Sequence, residues 1–330
     1  MRFIIIGAGA VGGVIGGRLA QGGNEVVLVA RGAHLTALRE NGLRLVTPSG
    51  TATLAVPAIA DPAELGELRA DDLLVLAVKS QDTMAAVAQW GRAPVAGGGT
   101  AADRVALVCA QNGVENERVA QRVFRTVYGL CVWLPATHVE PGIVVAHTAP
   151  MSGILTLGRY PHGSDSVIGE FGKRLAASNF DAPVVDDVMR WKYGKLLNNL
   201  GNALLALLDT STDPAADLWQ ACRAEGEAVL NKAGIAYNTE AERQAVQGDR
   251  MRMQSIEGAA RNGGSTWQSL ARETGSVETD YLNGEIALLG RLHGIATPVN
   301  DLLQRLVTEH ALARRRPGDL PPSRLRAMLG

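Results

Sequence analysis

The stretch Phe3-Ile4-Ile5-Ile6-Gly7-Ala8-Gly9-Ala10-Val11-Gly12 decides the fold. Its opening Phe-Ile-Ile-Ile is a short apolar run, mostly β-branched, which is typical of a strand buried in a parallel sheet. The glycines that follow have the spacing G-x-G-x-x-G, and a helical pattern extends from about Gly12 to Gln21. A strand, a glycine-rich turn and a helix in this order predict a site for a dinucleotide.

Each glycine of this turn has a physical reason. Gly7 permits the tight turn, Gly9 lets the backbone approach a pyrophosphate, and Gly12 lets the helix pack closely on the strand. The helix N-terminus adds free N–H groups and a partial positive charge, both of which favour phosphate. The alternative is a glycine-rich turn that binds no ligand. We expect the turn to bind the cofactor through Gly7, Ala8, Gly9, Ala10, Val11 and Gly12.

Three further apolar runs predict buried strands, at Glu25–Ala30, Leu73–Val78 and Arg104–Cys109. Helical patterns such as Asp82–Trp90 lie between them. This alternation predicts an α/β Rossmann-type fold, a doubly wound parallel sheet, for residues 1–185. Residues 186–330 are predicted to form an all-α C-terminal domain. Its helices are expected at Val188–Leu208, Leu218–Ala233, Ala241–Arg250, Val277–His293 and Val299–Ala313.

Composition excludes several classes of function. The chain of 330 residues carries 32 basic and 33 acidic side chains, which gives no reason to expect nucleic acid or an anionic membrane as partner. No apolar stretch approaches the ~20 residues that span a bilayer. Cys109, Cys131 and Cys222 lack the C-x-x-C spacing of a metal site, and so sparse a set suits a reducing compartment. We expect a cytoplasmic protein without a metal whose partner is a small molecule; its oligomeric state stays open, a homodimer included.

The end of the second strand predicts which nicotinamide cofactor is bound. Chains that bind NAD usually place Asp or Glu there, to bond the ribose 2′-hydroxyl. Here the strand runs into Arg31 instead of an acid. Because a guanidinium can pair with a 2′-phosphate, Arg31 predicts NADP(H) as the cofactor. The alternative is an exposed surface arginine without a ligand.

Polar residues also follow the next two strands. In a doubly wound sheet, the residues after each strand face the ligand crevice. Lys79 and Gln81 are therefore expected at the ribose or the nicotinamide. Asn112 follows the next strand and is expected to touch both nicotinamide and substrate. Ordinary turn chemistry is the alternative, since Asn-Gly is a common turn pair.

One helix of the C-terminal half carries the candidate proton donor. Reduction of a ketone by hydride leaves negative charge on oxygen, which a nearby acid must neutralise. Lys195, Asn199 and Asn202 are separated by four and three residues, so they share one face of an otherwise apolar helix. Polar groups there are costly unless they have partners, and a polar substrate is one. An interdomain hydrogen-bond network is the alternative, and Lys192 competes with Lys195 for the acid role.

Two later segments add polar residues. Glu278 opens the predicted helix Val277–His293, where the helix dipole favours an acid in any case. Ser265 and Thr266 stand in a Gly/Ser/Thr-rich loop before another helix, where hydroxyls either cap the helix or bind a carboxylate. From the residues alone, both segments leave a structural and a functional interpretation open.

Together these motifs resemble those of the ketopantoate reductase (2-dehydropantoate 2-reductase) family over nearly the whole chain. The resemblance rests on the GAGAVGG start, the arginine after the second strand, the VKSQ and QNGVE loops, the K-x-x-x-N helix and the E-x-D-Y-x-N-G segment. It implies an enzyme that reduces a 2-oxo acid with NADPH between a Rossmann domain and a helical domain. The type reaction forms pantoate from ketopantoate, for pantothenate and coenzyme A.

The resemblance also implies roles for individual residues. Lys195 matches the family's catalytic lysine. Glu278 matches the glutamate that positions the lysine and the substrate, and we expect Glu278 to contact the cofactor as well. Asn199 matches a substrate-contacting asparagine. Thr266, or Ser265 if the loop shifts by one residue, matches the serine that binds the substrate carboxylate.

Two departures from the family pattern indicate a changed pocket. Family members often carry a second asparagine eight residues after the lysine; here that position is Ala203, and Asn202 lies one place earlier. Where the family often reads Ser-Met-Leu-Gln-Asp, this chain has the bulky Trp267 and, in place of the Asp, Leu270. Asn112, in contrast, matches the asparagine that the family has in its nucleotide-binding loop. The reaction class is therefore better supported than the substrate.

Three other functions are compatible with the sequence. The chain could reduce a different 2-oxo acid, bind a dinucleotide without catalysis, or act as an imine-reducing or opine-type dehydrogenase. Lys195 together with Glu278 argues against the non-catalytic protein, because a sensor needs no proton donor. An imine-reducing enzyme would need a pocket for an amine.

Overall fold

The computed structural model of the protein describes residues 1–211, 213–258 and 263–330. The strands are β1 Phe3–Ile6, β2 Val26–Val29, β3 Leu43–Thr47, β4 Gly50–Leu54, β5 Ala58–Ile59, β6 Leu73–Leu76, β7 Ala106–Cys109, β8 Val127–Trp133, β9 Ala136–Glu140, β10 Ile143–Ala146, β11 Thr148–Pro150, β12 Ile154–Arg159 and β13 Met251–Met253. The α-helices are α1 Ala10–Gln21, α2 Gly32–Asn41, α3 Thr83–Gly91, α4 Ala101–Arg104, α5 Asn116–Gln121, α6 Ser166–Ala177, α7 Val188–Asn199, α8 Gly201–Leu207, α9 Ala216–Ala233, α10 Glu240–Gln247, α11 Ser265–Ala271, α12 Asn283–His293, α13 Pro298–Leu312 and α14 Pro322–Leu329. Short 3₁₀ turns lie at Pro62–Leu65, Ser80–Asp82 and Thr279–Tyr281.

The chain divides into two compact units. The first unit comprises Met1–Trp191 and Glu240–Arg261, and the second unit comprises Lys192–Thr239 and Asn262–Gly330. By contacts, the first unit extends to Trp191, six residues past the predicted boundary at residue 185. The segment 240–261, which the sequence assigned to the helical domain, belongs to the first unit because β13 pairs antiparallel with β11.

A seven-stranded sheet forms the centre of the first unit, with the order β12-β8-β7-β6-β1-β2-β5. Neighbouring strands are parallel except β12, which runs antiparallel to β8. Side chains alternate along β1, so Phe3 and Ile5 point into one apolar core and Ile4 and Ile6 into another. Both faces of the sheet are covered, which explains the continuous apolar runs and confirms the predicted Rossmann-type fold.

The winding of this sheet reverses next to β1. From β1 the chain continues to β2 on one side, and it later returns to β6 on the other side. Ligands of such sheets bind outside the carboxyl ends of the strands, at the point of reversal. The turns after β1 and β6 therefore lie side by side where a dinucleotide is expected.

A smaller sheet with the order β4-β3-β10-β9 was not predicted from the sequence. It packs against a different face of α1 from the main sheet, and the glycines of α1 make this possible. A Cβ at Gly16 would lie 2.6 Å from Leu28 Cδ2 of the main sheet, and a Cβ at Gly13 would lie 2.7 Å from Val144 Cγ1 of the smaller one. Helix α1 is thus held between two sheets at distances that only glycine allows.

The second unit is helical, which confirms the predicted all-α domain. Apart from one bridge between Leu208 and Leu320, the described elements that lie wholly within it are helices or 3₁₀ turns. The buried side chains Ala206, Leu270 and Ala311 pack α8, α11 and α13 together. Among the described residues of either unit, no helix is long and apolar enough to cross a membrane.

The helix predicted over Val188–Leu208 is interrupted at Leu200, between α7 and α8. Asn283 of α12 donates from Nδ2 to the Leu200 carbonyl oxygen at 3.1 Å. A side chain that inserts into the hydrogen-bond ladder of a helix breaks its regularity. The interruption therefore has a cause that lies far away in the sequence, and local propensity could not predict it.

Asn283 belongs to a buried polar network that joins α9, α12 and α13. Its Nδ2 lies 3.0 Å from Asn300 Oδ1, and Asn300 Nδ2 donates to the Cys222 carbonyl oxygen at 3.0 Å and to Glu225 Oε2 at 2.8 Å. Burial, with the nearby Glu225, raises the pKa of the Cys222 thiol to about 12. The Cys222 thiol therefore stays protonated at neutral pH, and the side-chain amide nitrogens of Asn283 and Asn300 both have hydrogen-bond acceptors.

Replacement of Asn283 by alanine should lower the free energy of unfolding by about 2 kcal/mol, because the Leu200 carbonyl and Asn300 lose a buried donor. Urea denaturation measures the change. Asn231→Ala, the same substitution at an exposed position of α9, should change it by less than about 0.5 kcal/mol. Equal effects at the two positions would contradict the role of the network.

Candidate active site

The turn after β1 is held from the sheet side. Gly7 has φ +101°, and a Cβ there would lie 2.8 Å from the Val78 amide nitrogen, so the turn requires glycine. The N–H groups of Gly7 and Ala8 both donate to the Val29 carbonyl oxygen, at 3.2 and 2.9 Å. These two N–H groups are therefore bonded within the protein, and any N–H group that binds a ligand must belong to the residues from Gly9 onward.

Gly9 and Gly12 differ in the space around them. Within the described chain, no atom beyond its neighbours lies within 4 Å of a Cβ built at Gly9, whereas a Cβ at Gly12 would lie 2.1 Å from the Gly7 carbonyl oxygen. Gly9 precedes Ala10, where α1 begins, and Val11 completes the start of the helix. The first turn of a helix leaves N–H groups without intrahelical partners. The open space at Gly9, at a helix N-terminus, fits a pyrophosphate.

Arg31 stands where the sequence analysis expected it, directly before α2 and just beyond β2. Its side chain is 85% exposed, and its Nη2 lies 3.2 Å from Asp82 Oδ2. An exposed pair of this kind contributes little to stability. The guanidinium is therefore available to an anionic group of a ligand at the end of β2.

Lys79, Gln81 and Asn112 lie in the turns after β6 and β7, and all three are half-buried. Lys79 precedes the 3₁₀ turn that contains Gln81. The Asn112 carbonyl oxygen accepts from Asn116 Nδ2 at 2.8 Å and from Ser80 Oγ at 3.4 Å. The structure thus joins the two turns, as expected from the sheet order.

Residues that the sequence analysis did not select fix these turns. Gln111 Nε2 donates to the Val78 carbonyl oxygen and to Thr83 Oγ1, both at 2.8 Å, and Thr83 Oγ1 donates to Asn116 Oδ1 at 2.7 Å. Within the described chain, the buried Gln111 Oε1 has no hydrogen-bond partner. In the sequence, Gln111, Thr83 and Asn116 were marked only by their closeness to Gln81 and Asn112.

His34 is a second residue that the sequence analysis missed. It lies on α2, and its Nε2 is 2.8 Å from the Ala8 carbonyl oxygen in the glycine-rich turn. Burial lowers the pKa of His34, and the bond to Ala8 opposes this effect in part. A lone histidine in an amphipathic helix carries no signal that could have revealed this contact.

Helices α7 and α8 carry the predicted catalytic lysine and two predicted substrate-binding asparagines. Lys195 and Asn199 on α7 and Asn202 on α8 are half-buried, while Leu196 and Leu197 between them are buried. The interruption at position 200 leaves the backbone helical, with φ −56° and ψ −38°. The three polar residues therefore keep the common face predicted from their spacing. Nothing within the described residues accepts a hydrogen bond from the buried Asn199 Nδ2.

The hydroxyl residues of the second unit do not cap α11. The cap position is occupied by Gly264, which has no side chain to bond the helix, and Ser265 and Thr266 lie within the first turn. Ser265 is exposed and Thr266 is buried. A Cβ at Gly264 would lie 2.7 Å from Asn202 Oδ1. The structure thus brings Asn202 to the start of α11, next to both hydroxyl residues.

Glu278 is half-buried and directly precedes the 3₁₀ turn Thr279–Tyr281. The helix predicted from Val277 begins only at Asn283, and the Glu278 side chain does not cap the turn. Glu278 therefore does not act as a cap, and its role at the site stays a prediction.

The two sets of residues can perform complementary chemistry. The first unit offers an open helix N-terminus and a basic side chain to a dinucleotide. The second unit offers an amine and an amide on one helix face to a polar substrate. The family model described as ketopantoate reductase PanE/ApbA matches residues 3–162, and the model of its C-terminal domain matches residues 187–311. The chain belongs to the ketopantoate reductase family. It is therefore an oxidoreductase that acts on CH–OH groups.

Individual members of the ketopantoate reductase family are similar to this chain over nearly their full length. A 2-dehydropantoate 2-reductase from Halobacterium salinarum is 30% identical over 321 residues, which cover 93% of this chain and 98% of the relative. The crystal structure of a PanE/ApbA family ketopantoate reductase from Ralstonia eutropha is 28% identical, with a TM-score of 0.76 over 95% of this chain and 99% of that one. D-mandelate dehydrogenase, solved with NADH and anilino(oxo)acetate, shares the fold at 22% identity and a TM-score of 0.79, over 95% of this chain and 99% of that one.

Trp267 and Ala203, where this ketopantoate reductase family member departs from the expected pattern, both serve packing. A Cβ at Gly263 would lie 2.4 Å from Trp267 Cγ, and the Trp267 ring packs against the cluster of α8, α11 and α13. Ala203 is only 1% exposed. An asparagine in its place would bury an amide, whereas Asn202 beside it is half-buried and meets Gly264.

The two glycines of the turn should separate binding from folding. Gly9→Ala should leave the melting temperature within about 2 °C of the parent and weaken dinucleotide binding at least tenfold, roughly 1.4 kcal/mol, because the new methyl enters the open space. Gly12→Ala should lower the free energy of unfolding by about 1–3 kcal/mol through overpacking. Calorimetric binding and thermal unfolding measure both variants, and a destabilised Gly9→Ala with parental affinity would contradict this assignment.

Proposed function

We propose that the protein reduces a small 2-oxo acid with NADPH, and that 2-dehydropantoate (ketopantoate) is its leading substrate, which yields pantoate for pantothenate and coenzyme A synthesis. The single observation that carries the proposal is the half-buried face of Lys195 and Asn199 in a member of this family, with the Asn199 amide buried and unbonded within the described chain. A buried amide without a partner is costly, and a substrate oxygen would satisfy it.

The proposed reaction assigns one task to each side chain. When bound, the reduced nicotinamide supplies a hydride to the carbonyl carbon. Lys195 donates a proton to the oxygen on which negative charge develops. Asn199 donates from Nδ2 to the same substrate, and Glu278 orients the lysine. Asn202 with Ser265 or Thr266 at the start of α11 binds the substrate carboxylate.

The preference for NADPH rests on Arg31. Its exposed guanidinium at the end of β2 supports a contact with a 2′-phosphate, which would compete with Asp82 for the same nitrogens. D-mandelate dehydrogenase, which shares the fold, was solved with NADH, so cofactor choice must be measured for this chain. Lys79, Gln81 and Asn112 are proposed at the ribose and nicotinamide because their turns follow β6 and β7, at the carboxyl ends of the strands beside the reversal of the sheet.

A cytoplasmic location is also part of the proposal. Cys109, Cys131 and Cys222 are free and buried in the structure. Thiols of this kind persist in a reducing compartment.

A second candidate is reduction of a bulkier 2-oxo acid. The likeness to D-mandelate dehydrogenase, which was solved with anilino(oxo)acetate, favours it. NADPH and NADH oxidation should be measured against a panel that contains ketopantoate, pyruvate and benzoylformate. The highest kcat/KM for ketopantoate with NADPH is the expected result. A preference for benzoylformate supports the second candidate, and no turnover of any 2-oxo acid contradicts both.

Lys195→Met should lower kcat by at least about 100-fold, because it removes the proton donor but keeps the length of the side chain. The dissociation constant for NADPH should stay within about twofold of the parent, since the cofactor residues are unchanged. Lys232→Met, an exposed lysine of α9, is the control and should keep parental kcat. Retained turnover in Lys195→Met with loss in Lys192→Met would move the acid role to Lys192.

Arg31→Ala should raise the KM for NADPH by about tenfold or more, the loss expected for a charge-assisted hydrogen bond, and change the KM for NADH by less than about twofold. Steady-state kinetics with both cofactors measures the effect. Arg39→Ala, an arginine on the same helix, should affect neither cofactor. Equal increases for both cofactors would remove Arg31 from the 2′-phosphate.

A further inference from the structure

The imidazole of His34 joins three parts of the first unit. His34 belongs to α2, its Nε2 faces the Ala8 carbonyl oxygen at 2.8 Å, and its Nδ1 lies 2.9 Å from the Gly142 amide nitrogen. The Nδ1 is also 3.2 Å from His138 Nε2, and the two rings lie 4.3 Å apart. Helix α2, the glycine-rich turn and the β9–β10 hairpin therefore meet at one side chain.

The contacts define the protonation state of this ring. The Gly142 N–H can only donate, so His34 Nδ1 must accept and carries no proton. The Ala8 carbonyl can only accept, so His34 Nε2 must carry the proton and donate. Both nitrogens are satisfied in the neutral Nε2–H tautomer. Burial, which lowers the pKa of His34, favours the same state.

The backbone of Ala8 is consequently held on both sides of its Cα. Its N–H donates to the Val29 carbonyl oxygen at 2.9 Å, and its carbonyl oxygen accepts from His34. The next residue is Gly9, whose open side fits a pyrophosphate. The Ala8–Gly9 peptide, whose carbonyl His34 contacts, leads directly into α1. A preorganised turn of this kind binds its ligand without an ordering cost.

The hairpin side of the contact is equally fixed. Gly142 has φ +82°, and its carbonyl oxygen accepts from the Arg44 N–H at 2.9 Å. The smaller sheet, through β3 and β10, thus provides the anchor against which His34 is held. Helix α2 begins directly after Arg31, so the same ring also fixes the distance between the pyrophosphate site and the arginine.

We propose that His34 is a positioning residue for the dinucleotide, which acts by donating from Nε2 to the Ala8 carbonyl and so holds the glycine-rich turn in its binding conformation. The proposal rests on dinucleotide binding by the turn and is independent of the substrate and of the choice between NADPH and NADH. It also gives the smaller sheet a function, because the Gly142 N–H positions the His34 ring, and the ring in turn positions the glycine-rich turn.

Two conservative variants separate the contacts of the ring. His34→Gln places an amide donor near the position of Nε2 and loses the acceptor at Nδ1, whereas His34→Asn keeps an acceptor near Nδ1 and loses the donor to Ala8. Thr36→Ala, an exposed position on the same helix, is the matched control. The dissociation constants for NADPH, NADH and ADP-ribose are measured by calorimetry, together with the melting temperature and kcat at saturating cofactor.

We expect His34→Asn to weaken binding of all three nucleotides by a similar factor, about tenfold, because all three carry the same pyrophosphate, and ADP-ribose lacks both the nicotinamide and the 2′-phosphate. His34→Gln should restore affinity to within about threefold of the parent, Thr36→Ala should match the parent, and kcat should stay within about twofold throughout.

Several results would overturn the proposal. Parental affinities in His34→Asn with a lowered melting temperature would make the residue merely structural. Equal affinities in His34→Gln and His34→Asn would remove the Ala8 contact from the explanation. A loss confined to NADPH would move His34 to the 2′-phosphate. Because all three binding constants are measurable without turnover, failure of the proposed reaction leaves this test intact.

Discussion

The close approach of helix α1 to two sheets is the constraint on which the first unit depends. Gly12 and Gly16 face the main sheet, and Gly13 and Gly17 face the smaller sheet, so each side of the helix lacks the side chains that would push it away. Glycine in a helix costs about 1 kcal/mol per residue relative to alanine, and four of them make the helix weak by itself. The packing on both sides offsets this cost. It also fixes the helix N-terminus at the reversal of the sheet, where an anion is favoured.

Fold class and much of the candidate site could be predicted because both depend on local patterns. A strand buried on both faces needs an apolar run, so β1, β2, β6 and β7 were visible without any partner. Polar residues that directly follow such strands must lie at their carboxyl ends, which is why Arg31, Lys79 and Asn112 were placed correctly on the fold. The common face of Lys195 and Asn199 follows from helical periodicity alone. The tasks given to these residues stay predictions.

The features that were missed depend on partners far away in the sequence. The segment with α10 and β13 returns to the first unit through a pairing of Thr148 with Met253. The interruption at Leu200 is caused by Asn283, 83 residues further along the chain. His34 contacts Gly142, 108 residues away, and no periodicity encodes that contact. The smaller sheet was overlooked for the same reason, because its parallel pair β3 and β10 is assembled from distant segments.

The buried amides of the second unit differ in whether they find hydrogen-bond partners. The asparagines Asn283 and Asn300 are deeply buried, and their amides find partners in one another and in the backbone. Asn199 stands on a neighbouring helix face, and within the described residues its buried Nδ2 finds none. Both arrangements occur in the same helical unit, so a general shortage of acceptors cannot explain the difference. The contrast between two satisfied amides and a third without an acceptor, four residues from Lys195, is the reason for proposing a substrate contact at Asn199.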